Sequence, residues 1–423
     1  MSKKSREIEK LLTFNQHKIR LGLGRINKEI KKLGLNTKYN NAKICTVNGT
    51  SAKNSIIQIF KNILIKNKKN YAATFSPHLV SITERFEYNK KFIRLNSLKK
   101  ILAKTANKKN LTPFEKLTIS FAFFIKNLKL DWIIGEYGLF GRLDAIRAIF
   151  PNPNIHIITP ISWDHINWTK TKKFNLKTLK EIVYEKTSFI RSKVYIAKQP
   201  HTVLKLIKKN LKENKNEKIF YGKDFKLIKK SSNYFYKDKN NFFKIRSNLI
   251  GDHMYENIVV AIKIALDLKI SINQIKSGIK KIDIPCRMQF VKKGKLRKGL
   301  NKKDILLLDG AHNNQQSSQI IKTINKLKNK NKFCVVSMIN TKDPYSFLRP
   351  FKKKFKKIYF INMERQRNVI PKTELKRVAD QLNIKAEVAD DFNEIKKKLF
   401  NYRSKCLLIT GSLYFVGNLL GKN

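Results

Sequence analysis

The stretch that most constrains this chain is Thr46 to Ser55, which reads T-V-N-G-T-S-A-K-N-S. A run suited to a strand, Ala42–Val47, leads into it, and an amphipathic run, Ile56–Ile65, follows. A strand, a turn of small residues, a lysine, a hydroxyl and a helix form the layout of a phosphate-binding loop. Backbone N–H groups wrap phosphate oxygens, the lysine meets the terminal phosphates, and the hydroxyl sits near Mg²⁺. Lys53 and Ser55 fit these roles. Ala52 stands where the strict pattern has glycine.

The pattern around the loop repeats. Strands are expected at Ala42–Val47, Ala72–Phe75, Trp132–Glu136, His156–Pro160 and Val194–Ala197. Helices are expected at Arg6–Leu12, Gly24–Leu33, Ile56–Ile65, Pro113–Asn127 and Leu176–Glu185. Such alternation predicts a parallel sheet covered by helices, with ligands at the carboxyl ends of the strands. Residues 200–250 are lysine-rich, with aromatic strands at Lys218–Tyr221 and Tyr234–Ile245, and read as a small β subdomain. A helix at Tyr255–Leu268 leads to a break at Ile284-Pro285. Alternation then resumes, with strands Ile305–Leu308, Phe333–Ser337, Lys357–Ile361 and Leu407–Thr410 and helices Gln316–Lys328 and Lys372–Gln381. The expected fold class is α/β. A P-loop parallel-sheet ATPase domain spans 1–285, and a smaller Rossmann-like α/β domain spans 286–423.

Composition narrows the function. With 91 Lys+Arg against 30 Asp+Glu, the formal net charge is +61. Taken alone, that suggests a nucleic-acid partner. Yet Lys, Asn and Ile are enriched together along the whole chain, as AT-rich codons would produce, and no basic tail stands apart. Codon drift plus small anionic substrates is the favoured account, without specific nucleic-acid binding. No apolar run approaches the ~18 residues of a membrane span. The charged segment Met1–Leu12 lacks an apolar signal core, so a cytoplasmic location is expected. Cys45, Cys286, Cys334 and Cys406 are scattered without metal-ligand spacing, and read as reduced thiols.

Four further motifs follow expected strands: S-P-H-L at Ser76–Leu79, E-Y-G-L-F-G-R-L-D-A at Glu136–Ala145, W-D-H at Trp163–His165, and D-G-A-H-N at Asp309–Asn313. A carboxylate at a strand end before a glycine turn suits a metal ligand near phosphate. Singly, each is ordinary: a histidine after a strand is more often a cap than a ligand, and Asp-Gly is a common turn.

In order, these motifs are joined by L-T-P-F-E-K-L-T (Leu111–Thr118), Glu185-Lys186, the Pro285–Arg287 break and T-G-S-L-Y-F-V-G (Thr410–Gly417). The set resembles the folylpolyglutamate synthase/dihydrofolate synthase family of the Mur-ligase superfamily, over about Arg20 to Val416. The resemblance implies an ATP- and Mg²⁺-dependent ligase. ATP would activate a folate or dihydropteroate carboxylate as an acyl phosphate, which L-glutamate would then attack. It implies that Gly49, Thr50, Ala52, Lys53, Asn54 and Ser55 form the ATP loop, with Asn257, Arg287 and Asp309 as further ATP contacts. Ser76, Glu136 and His165 match Mg²⁺ ligands. Thr112, Pro113, Phe114 and Glu115 match pterin-side contacts, as do Leu143, Asp144 and Ala145. Lys186 matches a lysine that is carbamylated in the family, and His312 falls at an active-site position. Closure of the second domain during turnover and a monomeric enzyme are also implied.

The chain departs from the family where small residues are usual. Ala52 and Asn54 replace glycines in the loop, Phe140 replaces a glycine, and Ile146-Arg147 replaces Thr-Asn. Thr187-Ser188 replaces Ala-Gly, Cys286 replaces the glycine of P-G-R, Gln289 an acidic residue, and Asn314 a proline. Arg20 stands where bifunctional members often carry aspartate, which favours polyglutamylation over dihydrofolate synthesis. The charged members Lys53, Glu136, His165, Lys186, Arg287 and Asp309 all persist.

Overall fold

A computed structural model of the chain describes residues 8, 12, 20–35, 39, 41–108, 110–163, 176–329, 331–364 and 368–423. The helix expected over Arg6–Leu12 lies outside these apart from Ile8 and Leu12, and His165 lies outside them too. The chain forms two compact units, one of residues 1–248 and 256–282, the other of 249–255 and 283–423.

The first unit is built on eight strands: β1 Lys43–Asn48, β2 Tyr71–Thr74, β3 Phe86–Tyr88, β4 Lys91–Phe92, β5 Trp132–Glu136, β6 Ile155–Ile158, β7 Lys193–Ile196 and β8 Lys218–Phe220. Their order is β4-β3-β2-β5-β1-β6-β7-β8. All neighbours from β2 to β8 run parallel, and β3 and β4 add an antiparallel edge. Strands β2, β5 and β6 are buried along their whole length, as expected of apolar runs covered on both faces. Helices α1 Gly24–Lys32, α2 Lys53–Lys66, α3 Leu95–Ala106, α4 Pro113–Ile125, α5 Ala145–Ile149, α6 Leu179–Thr187, α7 His201–Asn210, α8 Asp252–Asp267 and α9 Ile272–Lys280 complete the order.

Helix α2, which leaves the phosphate loop, buries Ile56, Ile59, Phe60, Ile63 and Leu64. Helix α9 lies directly against it. A Cβ on Gly278 would sit 2.8 Å from the Ile63 Cα. Asn62 Nδ2 donates to the Gly278 and Lys281 carbonyls at 2.5 and 3.1 Å.

Residues 200–250 differ from the sequence expectation in three ways. His201–Asn210 is a helix, because Val203 and Ile207 form one buried stripe among its lysines. Lys218–Phe220 belongs to the edge of the main sheet. Tyr234–Ile245 is a hairpin, β10 Asn233–Asp238 and β11 Phe242–Ile245, which pairs with β9 Phe225–Lys230 in an antiparallel sheet. Asp238 Oδ1 makes the turn by accepting N–H bonds from Asn240 and Asn241.

The second unit carries β12 Gln289–Phe290, β13 Ile305–Leu308, β14 Asn331–Val336, β15 Lys357–Phe360, β16 Ala386–Val388 and β17 Lys405–Thr410, in the order β12-β13-β17-β14-β15-β16. All pairs but β12–β13 are parallel. Its helices are α10 Asn314–Ile324, α11 Pro344–Leu348, α12 Lys372–Gln381, α13 Phe392–Lys398 and α14 Leu413–Gly421. Among the described residues, no helix is long and apolar enough to cross a membrane.

Candidate active site

Parallel strands deliver the loops after β1, β2, β5 and β6 to one edge of the first sheet, with β1 between β5 and β6. At the end of β1, Asn48 is buried and fastens two segments. Its Oδ1 accepts the Gly49 N–H at 2.7 Å, and its Nδ2 donates to the Lys186 carbonyl at 2.9 Å. Gly49 has φ 144°, and a Cβ there would come within 2.8 Å of the Thr159 backbone oxygen, so only glycine fits. The Thr50 and Ser51 N–H groups donate to the Pro160 carbonyl at 3.0 and 3.1 Å. Thr50 Oγ1 donates to the Ser162 carbonyl and accepts its N–H, both at 3.1 Å.

Ala52 then turns the chain into α2 with φ 67°, a left-handed backbone that glycine would adopt without strain. Asn54 lies inside the helix. The first turn of α2 has no side-chain cap and no acidic residue, and Ser55 is buried in it. Such a terminus presents N–H groups and a partial positive charge to an anion. Two ammonium groups reinforce it: Lys53 Nζ and Lys186 Nζ both donate to the Gly49 carbonyl, at 3.2 and 3.0 Å.

Glu136, the buried last residue of β5, accepts the Ser76 N–H at 3.3 Å, so two of the three expected metal ligands meet. Ser76 Oγ accepts a bond from Arg85 Nη1 at 3.4 Å, and Arg85 Nε donates to His78 Nδ1 at 3.0 Å. Burial, helped by Arg85, pushes the His78 pKa down to about 4, which keeps the ring a neutral acceptor. Among the described residues no three His, Cys, Asp or Glu side chains gather as a metal cage. A carboxylate and a hydroxyl beside a phosphate loop nevertheless fit Mg²⁺, a hard ion that keeps waters and phosphate oxygens in its shell.

The residues that the resemblance assigns to the pterin side lie around the loop after β5. Thr112 and Glu115 close a capping box on α4. The Glu115 N–H donates to Thr112 Oγ1 at 3.2 Å, and the Thr112 N–H to Glu115 Oε2 at 2.7 Å. Pro113 follows in the first helical turn, and Arg25 pairs with Glu115 at 3.1 Å. The Phe114 ring covers Gly138, where a Cβ would stand 2.8 Å from it. Asp144 caps α5 through the Ile146 N–H at 2.9 Å and takes the Gly138 and Leu139 N–H groups at 3.0 and 2.8 Å. Burial raises its pKa to about 6, against the pull of those N–H groups and Lys53. Leu143 is half-buried and Ala145 buried beside it.

Two groups escaped the sequence reading although they stand inside its motifs. Arg142 sets its Nε and Nη2 on Glu185 Oε1 at 2.9 and 2.8 Å, and its N–H on the Glu185 carbonyl at 2.9 Å. This clamp ties the loop after β5 to the end of α6 and fixes Lys186. Asn48 is the other; a polar residue ending the apolar strand was its signal.

Asn257 is buried on α8 in the first unit. Arg287, Asp309 and His312 lie in the second. Asp309, at the end of β13, accepts the Met288 and Ala311 N–H groups at 2.8 Å each, and burial raises its pKa against the pull of Arg287. Arg287 Nη1 donates to the Cys286 carbonyl at 3.4 Å. His312 Nδ1 donates to the Gly310 carbonyl at 2.9 Å, and its N–H to Gln316 Oε1 at 2.9 Å.

Residues 47–265 match the model of the Mur ligase middle domain, and residues 293–422 that of the dihydrofolate synthetase C-terminal domain. The dihydrofolate synthetase of Saccharomyces cerevisiae is 25% identical, over 95% of this chain and 97% of its own length. The dihydrofolate synthase/folylpolyglutamate synthase of Bacillus subtilis is 25% identical over 95% and 94%. The bifunctional folylpolyglutamate synthase/dihydrofolate synthase of Yersinia pestis, solved with AMPPNP and a Mn ion, superposes with a TM-score of 0.82 at 21% identity, over 99% of this chain and 98% of its own. The parallel sheet of the first unit and a family match over more than half of the chain therefore have one reading: the chain belongs to the Mur ligase family, in its folylpolyglutamate synthase/dihydrofolate synthase branch.

Proposed function

We propose that the protein is an ATP- and Mg²⁺-dependent ligase that joins L-glutamate to the carboxylate of a folate. The observation that carries this reading is the uncapped start of α2 with Lys53 and Lys186 on one carbonyl, beside the Ser76–Glu136 pair. A carboxylate is a poor electrophile and must be activated. Its oxygen attacks the γ-phosphorus of ATP, the β–γ bridging P–O bond breaks, and ADP leaves. The glutamate amine then attacks the acyl carbon, phosphate departs, and the amine loses a proton.

The chain's groups serve the charge in this sequence. The N–H groups of Lys53, Asn54 and Ser55, at the start of α2 behind the Gly49–Ala52 turn, cradle phosphate oxygens. Lys53 moves from the Gly49 carbonyl to the terminal phosphate, where charge is greatest. Ser76 and Glu136, with His165, would hold Mg²⁺, which neutralises phosphoryl charge when bound. Thr112 to Glu115 and Leu143 to Ala145 form the pterin side. Asn257, Arg287 and Asp309 serve ATP, and His312 the active site. Arg20, in place of an aspartate, favours glutamate addition to a folate over dihydropteroate as substrate. The enzyme works as a cytoplasmic monomer.

Purified protein with ATP, Mg²⁺, L-glutamate and either a reduced folate or dihydropteroate should release phosphate only when glutamate is present. No release with either acceptor sinks the reading. Lys53→Ala should lower turnover by about 100-fold or more.

A further inference from the structure

The second unit holds a concavity of about 440 Å³ whose lining includes Lys328, Asn329, Lys332, Lys353, Lys354 and Lys356. Strands β14 and β15 begin beside it, at Asn331 and Lys357, whereas Asp309 follows the last residue of β13. These strands run parallel in one sheet, so the concavity and the loop of Asp309 and His312 lie at opposite ends of it. It is therefore separate from the groups assigned to ATP.

Its backbone is fixed. The Lys356 N–H donates to the Lys332 carbonyl at 2.8 Å, and Asn329 Nδ2 and Asn331 Nδ2 hold the Ser404 and Arg403 carbonyls at 3.1 and 2.9 Å. Lys353 takes a left-handed φ of 59° in the turn before β15. Four of the five lysines are exposed, and Lys332 is half-buried. Among the described residues none of the five pairs with an acid, although the next residue, Lys357, pairs with Glu387, and Lys398 with Glu394. Like charges around one small volume repel, and an anion that enters relieves the repulsion.

The lining narrows the choice of anion. It has no guanidinium, so the planar two-bond grip that suits a carboxylate is lacking. Lysines act as point charges and suit phosphate, which packs more charge into a given volume than a carboxylate does. Phe355 is the one ring in the lining, and it packs edge-on against Phe351. Tyr402, next to Lys356, has that ammonium over its ring and Phe333 against it. The lining thus offers no open ring on which nucleic-acid bases could stack. The volume is that of a small-molecule site.

We propose that this concavity is a binding site for a short free oligophosphate. The site is present whether or not the chain ligates glutamate.

Lysine acetylation of the full chain, read by mass spectrometry with and without inorganic tripolyphosphate, tests this at about 0.15 M NaCl, where long-range attraction is screened. Lys328, Lys332, Lys353, Lys354 and Lys356 should be protected together. Equal protection of exposed lysines elsewhere, such as Lys302 and Lys303, means a diffuse ion atmosphere and overturns the proposal. Protection confined to Lys53 places the probe in the nucleotide loop alone and also overturns it. Lys332→Gln combined with Lys354→Gln should raise the tripolyphosphate concentration that half-protects Lys328 and Lys356 by about 10-fold or more, with no fall in melting temperature. An unchanged concentration in that folded variant counts against the site. A glutamate oligopeptide or a single-stranded oligonucleotide that protects the same five lysines at lower concentration than tripolyphosphate overturns the phosphate assignment.

Discussion

Three residues, Ala52, Phe140 and Cys286, hold a left-handed backbone with φ of 67°, 57° and 56°. For a residue with a Cβ this costs about 1–2 kcal/mol. Burial decides what each substitution by glycine would do. Phe140 is 2% exposed and Cys286 fully buried, so glycine would lose a side chain's burial, about 2–3 kcal/mol for the phenyl ring. Ala52 has one half-exposed methyl group to lose. Ala52→Gly should therefore stabilise the protein by about 0.5–1 kcal/mol after glycine's extra chain entropy is subtracted. A urea titration would read this as a higher midpoint with an unchanged slope, and a lower midpoint would contradict it. His156 and Asp144 make a second residue-scale case. Burial lowers the His156 pKa to about 3; its Nδ1 meets Thr46 Oγ1 at 2.7 Å, and its Nε2 has no partner among the described residues. A base with a depressed folded pKa contributes stability that is present above its unfolded value near 6.5 and lost as pH falls, about 1.4 kcal/mol per pH unit. Asp144, raised to about 6, has the opposite sign: its ionised form is penalised above pH 6, and the penalty is relieved as pH falls toward 4. Between pH 6 and 5 the two nearly cancel. In His156→Phe only the Asp144 effect remains, so stability relative to wild type should rise by about 2 kcal/mol from pH 6.5 to 5. Parallel pH profiles of the two proteins in urea would overturn the assignment.

At the scale of elements, the start of α4 carries two duties. Thr112 and Glu115 form its capping box, and we propose that they also meet the pterin side of the substrate. Thr112→Ala should cost about 1 kcal/mol of stability, while Thr112→Ser, which keeps the hydroxyl, should stay within about 0.5 kcal/mol of wild type. Equal loss in both, read by thermal unfolding, would show that the cap contributes nothing. Elements of this kind were the most legible part of the chain. Trp132–Glu136, Ile305–Leu308 and Lys372–Gln381 form with the limits the apolar runs and turn residues indicate. Helices α7 and α9 were missed because lysines crowd their exposed faces and leave only a thin buried stripe, Val203 and Ile207 in one, Ile275 and Ile279 in the other. The hairpin at Asn233–Ile245 was fused into one strand because Asp238-Lys239-Asn240-Asn241 has no glycine to mark its turn. In the site, the loop pattern led to Lys53 and the strand-end carboxylate to Glu136, while the family resemblance led to Ser76 and Lys186. Neither could lead to Arg142 on Glu185 or Thr46 on His156, since folding forms these pairs across 43 and 110 positions respectively.

At the scale of the whole molecule, the imbalance of 91 basic and 30 acidic residues leaves a formal net charge of +61. Much of the acidic complement is used in pairs, some buried, such as Lys61–Glu87 and Lys405–Asp304, at 2.7 and 2.8 Å. Self-repulsion among the remainder destabilises the compact state, and salt screens it over about 10 Å at 0.1 M. The melting temperature should rise by roughly 2–4 °C between 10 and 150 mM NaCl; a flat or falling trend would show that the charges are too far apart to matter. A different consequence follows from the packing of α9 on α2. The phosphate loop is made early in translation, at Gly49–Ser55, yet the helix that backs it is Ile272–Lys280, and Asn62 waits 216 positions for the Gly278 carbonyl. A nascent chain cannot seat its nucleotide helix until α9 has cleared the ribosome. Until then Phe60 and Lys61 have Trp132 and Glu87 to pack on, but the part of α2 around Ile63 that α9 covers stays open, and any stop codon before Ile272 leaves the loop's helix backed on that side by nothing.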